Sequence, residues 1–209
     1  ALFQRDASFK PVVRFFEGAE QIKEIHREIV AHNEEKFLRV IQTPEILTKV
    51  VHDDEFLSVI TKLRVENEIQ QHSLRPLTAL KNRDEFPEHM VSDDPKWLRK
   101  IRYLPKEIET NSVIYIWDDK IAIVSSEGEN YVLVVESKDF TKTVVAIFDF
   151  LWTLSTPGTE VDKSLLYSNF SQRSSPNNAP ESQSTPSLFG FFLTPLDPYS
   201  HLPFSSALR

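Results

Sequence analysis

The stretch from Ser112 to Trp152, SVIYIWDDKIAIVSSEGENYVLVVESKDFTKTVVAIFDFLW, limits the fold more than any other part of the chain. Val113–Trp117, Ile121–Val124 and Tyr131–Val135 are short runs of β-branched, aromatic and small apolar residues, which suit a pleated surface. Asp118-Asp119-Lys120 has hairpin length, and Glu127-Gly128-Glu129-Asn130 reads as a turn. The runs are apolar on both faces, a pattern that fits strands inside a sheet covered on both sides. Asp139 is placed to cap a helix. Phe140, Val144, Phe148 and Leu151 then recur at helical spacing, with Val145, Ile147 and Trp152 widening the stripe.

Upstream, strands and helices alternate. Pro11–Phe16 predicts a strand closed by Glu17-Gly18, and Ala19, Ile22, Ile25 and Ile29 mark one face of a helix ending near His32-Asn33. Phe37–Ile41 predicts a second strand. Thr43-Pro44 starts a helix with proline at its first position, and Phe56, Ile60 and Leu63 begin a longer one after Asp53-Asp54. This β-α-β-α rhythm predicts an α/β fold with a mixed, mostly parallel sheet and helices on both faces. Residues 70–95 are polar and broken by Pro76, Pro87 and Pro95, so only a weak strand and loop are expected there. Lys96–Arg99 reads as a short helix and Lys100–Leu104 as a strand. The folded domain is expected over residues 10–154. Residues 155–209, rich in serine and carrying more than half of the 13 prolines, read as a largely disordered low-complexity tail.

Composition removes several chemistries. The chain has no cysteine, so disulfides, thiol catalysis and cysteine-ligated zinc are excluded. The net charge of -7 opposes direct contact with a phosphate backbone. No run approaches the roughly 20 apolar residues of a membrane span, so a cytoplasmic location without a membrane partner is expected. Histidines 26, 32, 52, 72, 89 and 201 show no metal-ligand spacing, and four glycines leave no phosphate loop. His26 falls beside charged residues of its helix, so exposure is expected. The basic group Lys96, Arg99, Lys100, Arg102 and Lys106 reads either as a solvated face or as an anion contact. Trp97, Trp117 and Tyr103 read as core or as a pocket lining.

The order KPVVRFFEGAEQIKEIHREIV, KFLRVIQTPE, RKIRYLPKEI, IYIWDDKIAIVSS, VLVVESKDFTKTVVAIFDFLW resembles the C-terminal, phospholipase D-like effector domain of TrmB-like transcriptional regulators of archaea and bacteria. The resemblance implies a non-catalytic sensor and dimerisation module, working as a homodimer and taking a small-molecule effector, either a sugar or an anion. It also implies that DNA is reached only through a winged helix-turn-helix that this chain lacks. The phospholipase D half-site is His-x-Lys-x4-Asp, followed after six residues by Gly-Ser-x-Asn. Anchored on Asp118, the pattern puts Asn111 at the histidine, Val113 at the lysine, Ser125-Ser126 at Gly-Ser and Gly128 at the asparagine. The nucleophile and the phosphate-balancing cation are both missing. The expectation is therefore no catalytic residue, no cofactor and no metal, with Asp118, Ser126, Arg102 and Trp117 as the ligand-binding set. The alternatives are a phospholipase D-type phosphodiesterase or nuclease, or a stand-alone protein-interaction module.

Overall fold

The computed structural model describes residues 10–161. The expected tail falls almost wholly outside them. The elements run β1 (Val12–Glu17), α1 (Ala19–His32), β2 (Phe37–Ile41), α2 (Pro44–Val51), α3 (Asp54–Glu66), β3 (Gln70–Arg75), α4 (Glu88–Val91), β4 (Arg99–Tyr103), β5 (Val113–Trp117), β6 (Lys120–Val124), β7 (Tyr131–Glu136), α5 (Lys138–Leu154) and β8 (Thr156–Pro157). Gly18, at φ 92, makes the turn from β1 into α1, a conformation that costs little only without a Cβ. Thr43 caps α2 through Ile46 N–H, and Asp53 caps α3 through Phe56 N–H. For α5 the cap is Ser137, two residues before the Asp139 read from sequence.

One eight-stranded sheet forms in the order β1-β7-β6-β5-β2-β3-β4-β8. It is mixed, as expected, but it is not mostly parallel. Only β2-β3 and β3-β4 are parallel, and every other pairing is antiparallel. The β-α-β-α rhythm holds only through β3. Short turns then make β5, β6 and β7 an antiparallel meander, and β1 joins β7 at the edge. The second departure is β3. Its sequence QQHSLR reads as weak, yet it lies inside the sheet with Gln71, Ser73, Leu74 and Arg75 all buried. The third lies past Leu154. Thr156–Pro157 pairs with β4, so the sheet runs beyond the predicted domain end.

Period-two alternation divides the meander between two cores. Val113, Tyr115, Trp117, Ala122, Val124, Val132 and Val134 face α1, α2 and α3. Ile114, Ile116, Ile121 and Ile123 face α5, where they meet Phe148, Val144, Leu151 and Trp152. Helices thus cover both faces, three long ones on one side and α5 alone on the other. Phe148 is 1% exposed and plugs the second core. Phe140, expected in the buried stripe, is instead exposed at the first turn of α5. Phe148→Ala is expected to cost about 3–5 kcal/mol of unfolding free energy in denaturant titration, and Phe140→Ala less than about 1 kcal/mol.

Candidate functional site

The β5–β6 hairpin carries the phospholipase D positions, and its register separates them. Val113 lies opposite Val124, and Trp117 lies opposite Lys120. Asn111, Ser112, Ser126 and Gly128 therefore gather at one end of the hairpin, while Asp118 turns at the other. The two ends are about 15 Å apart along the strand. The first end opens into a polar groove of about 520 Å³, rimmed also by Lys49, Glu127 and Glu129. Ser125 is buried there, and its hydroxyl accepts from Tyr131 N–H at 2.8 Å. Val113, in the lysine position, is fully buried against the α1–α3 side.

At the other end the Asp118-Asp119-Lys120 turn holds the fold together. Asp118, at φ 46, accepts Glu35 N–H at 3.0 Å and Glu34 N–H at 3.3 Å, which fixes the α1–β2 loop. The Asp119 carbonyl accepts Ser137 N–H and so holds the entry to α5. Lys120 donates to Glu28 of α1 at 2.8 Å, and Arg14 of β1 donates to the same carboxylate at 3.3 Å. Burial favours the neutral form of Glu28, but hydrogen bonds from Lys120 and Arg14 outweigh it and hold its carboxyl below the usual range.

The four residues read from sequence as a binding set do not share a site. Ser126 lines the groove. Asp118 is committed to backbone N–H groups. Trp117 is 1% exposed, inside the α1–α3 core. Arg102 lies on β4, about 14 Å across the sheet from β5. It donates to the Ser155 carbonyl and hydroxyl and sits over the Trp152 ring. Among the described residues no group of three or more histidines and carboxylates could hold a metal ion, and no helix is long and apolar enough to cross a membrane.

A second cavity lies between the sheet and the α1–α3 layer, and sequence reading missed it. Its walls are mostly apolar, including Ile29, Leu47 and Met90, but Arg64, Arg99, His26 and Tyr115 also line it. His26 is buried, contrary to the exposure expected for it. It lies one turn from both Ile22 and Ile29, at the flank of the apolar stripe. Its Nδ1 is 2.8 Å from the Ile22 carbonyl, so it carries the proton. Nε2 then accepts from the Tyr115 hydroxyl at 2.8 Å. Burial lowers the His26 pKa to about 4 and raises that of Tyr115. The sequence signal for this site was polar residues in buried phase. Arg64 follows Leu57 and Ile60 on α3, and Arg99 alternates with Ile101 and Tyr103 on β4.

The fold is similar to that of TrmBL2, an archaeal chromatin protein whose structure shows a novel mode of DNA binding. The match has a TM-score of 0.50 at 8% identity and covers 75% of this chain. The chain spans 57% of the length of TrmBL2. NucT from Helicobacter pylori matches with a TM-score of 0.45 at 8% identity, over 71% of this chain and 99% of that one. Nuc from Salmonella typhimurium, a phospholipase D family member, matches with 0.43 at 9% identity, over 71% and 98%. No protein-family model and no curated protein sequence matches the chain. At these identities the likeness is one of fold.

The neutral, buried His26 makes stability depend on pH in a defined direction. Unfolded, the ring binds a proton near its ordinary value of 6.5; folded, only near 4. Stability from this group is complete above about pH 6.5 and is lost as pH falls towards 4, by at most about 3 kcal/mol. His26→Gln should therefore flatten the fall in urea midpoint between pH 7 and 4.5. Asp118→Ala should cost about 1 kcal/mol in the same urea titration at neutral pH, from its two lost backbone partners.

Proposed function

We propose that this chain is a non-catalytic effector-binding and dimerisation domain of a TrmB-like transcriptional regulator, acting in the cytoplasm and reaching DNA through an attached winged-helix reader. The observation that carries the reading is the state of the half-site. Its histidine position holds Asn111, which offers no nucleophile. Its lysine position holds Val113, 0% exposed inside a hydrocarbon core. Metal-independent phosphodiester cleavage of this type needs a nucleophile at phosphorus and a cation against the phosphate charge. The groove does hold Lys49 and the Ser112 and Ser126 hydroxyls, but none of them stands at the histidine or lysine position of the half-site. The overall likeness to TrmBL2 supports the same reading at the level of fold.

Dimerisation is supported by apolar surface left uncovered on the α5 side of the sheet. Phe16 joins the α1–α3 core, so alternation sends Val13 and Phe15 of β1 to the α5 side. There Phe15 is 57% exposed and stacks on Tyr131 at 5.4 Å. The α5 helix does not reach them. Arg39 of β2 pairs with Asp149, and His72 of β3 stacks on Trp152 at 4.3 Å, which holds α5 over the parallel strands. Phe140, Ile147, Phe150 and Leu154 then form one exposed stripe on its free flank. A second copy of the chain fits this surface, because a two-fold contact lets one apolar patch cover another of the same kind.

The full chain should show no turnover of bis-p-nitrophenyl phosphate or of single- or double-stranded DNA without added metal. Cleavage that survives repurification and disappears in Ser126→Ala would replace the sensor reading with a phosphodiesterase one.

A further inference from the structure

The cavity under α1–α3 is short of negative charge. Arg64, Arg75 and Arg99 are 4%, 1% and 7% exposed, and all lie between the helices and the β2-β3-β4 part of the sheet. Backbone carbonyls accept hydrogen bonds from all three, and Arg75 also bonds the Tyr103 side chain. Arg64 donates to Ile69, Leu98 and Trp97, Arg75 to Met90, and Arg99 to His89. Among the described residues the ion pairs include none to these three guanidiniums. Arg75 feels a nearby carboxylate, that of Glu45. Among the described residues, the groups that act on Arg64 and Arg99, which line the cavity, include no carboxylate. Arg99 Nε is buried without any acceptor.

This arrangement is costly without an anion. Burial, and then the charges of Arg64 and Arg75, lower the pKa of Arg99 well below its usual value. A guanidinium nonetheless stays protonated at neutral pH, so the cost falls on the fold unless a counter-charge enters. The walls decide what kind of anion. Ile29, Val30, Leu38, Leu47, Leu57 and Ile60 are hydrocarbon, and they disfavour a compact, strongly hydrated dianion. The cavity of about 60 Å³ exceeds the roughly 10–15 Å³ that one water needs, which leaves room for about four to six heavy atoms.

We infer that the cavity bounded by Arg64, Arg99 and Tyr115 is a binding site for a short-chain monocarboxylate, its carboxylate on the Arg99 guanidinium and its alkyl group against Met90 and Leu47. The inference rests on the sensor reading for its purpose and names the ligand class of that sensor. For its evidence it needs only the cavity.

Met90 is the single methionine of the chain, so one ¹³C-methyl resonance reports on the cavity wall. The labelled full chain is titrated with propionate, with propionamide as a neutral isostere and with inorganic phosphate. Propionate should shift the Met90 methyl resonance saturably and raise the thermal midpoint by about 4 °C at tenfold excess over its Kd. Propionamide and phosphate should do neither. Arg99→Met should abolish both responses while its ligand-free midpoint stays level or rises, because a buried charge without a counter-ion has been removed. No response to propionate at 50-fold the concentration typical of a weak, roughly millimolar ligand overturns the inference, as does an equal response to propionamide or a response to phosphate alone. An Arg99→Met chain that fails to fold contradicts an uncompensated guanidinium, and the titration of the unaltered chain still decides the ligand class. A silent titration with no phosphodiesterase activity sinks the carboxylate and leaves the sensor reading. Phosphodiester turnover sinks that reading even where propionate binds.

Discussion

Two-sided burial of the β5-β6-β7 meander is the constraint on which the rest of the structure depends. Adjacent residues of β5 belong to different cores, Val113, Tyr115 and Trp117 to one and Ile114 and Ile116 to the other. A strand built this way is stable only with helices on both faces, each buried large side chain contributing about 1.5–3 kcal/mol. The α1–α3 layer supplies one cover and α5 the other. The polar Asp118-Asp119-Lys120 turn ties both covers back to the meander, through the Glu34-Glu35 loop, Glu28 and Ser137. The covers are unequal, and the two functional proposals arise on the two sides of that inequality. The thick α1–α3 side encloses a cavity, and the thin α5 side leaves apolar surface bare.

Elements whose stability comes from apolar periodicity were legible in the sequence. β2, β5, β6 and the Thr43-Pro44 and Asp53 helix starts lie where the pattern puts them. β3 was not legible as an interior strand, because QQHSLR has no apolar alternation. What holds it is backbone pairing to β2 and β4 on both sides, with Gln71, Ser73 and Arg75 buried beneath the helices. The strand directions are hidden in the sequence for a related reason. A β-α-β-α start is evidence for the parallel β2-β3-β4 core, but it carries no information on the meander that follows.

The site was legible only in part. Spacing alone brought Asn111, Ser126 and Gly128 to one groove, since a hairpin of fixed register returns them to the same end. The same register removes Asp118 and Trp117 from it. Arg102 belongs to a basic run in the sequence, yet its role is local, on Ser155 and Trp152. Arg99, three residues earlier in that run, is the buried one. The alternation Arg99, Ile101, Tyr103 marks it as inward-facing, a signal available in the sequence but masked by the neighbouring lysines.

The central claim is that this domain works as a pair of copies joined through the face α5 leaves bare. Sedimentation velocity of the full chain across a concentration series tests it most directly. The account predicts a dimer at micromolar concentration, converted to monomer by Phe15→Asp combined with Phe150→Asp, with the fold retained because both side chains are more than half exposed. A monomer at every concentration, or a dimer indifferent to both substitutions, would contradict it.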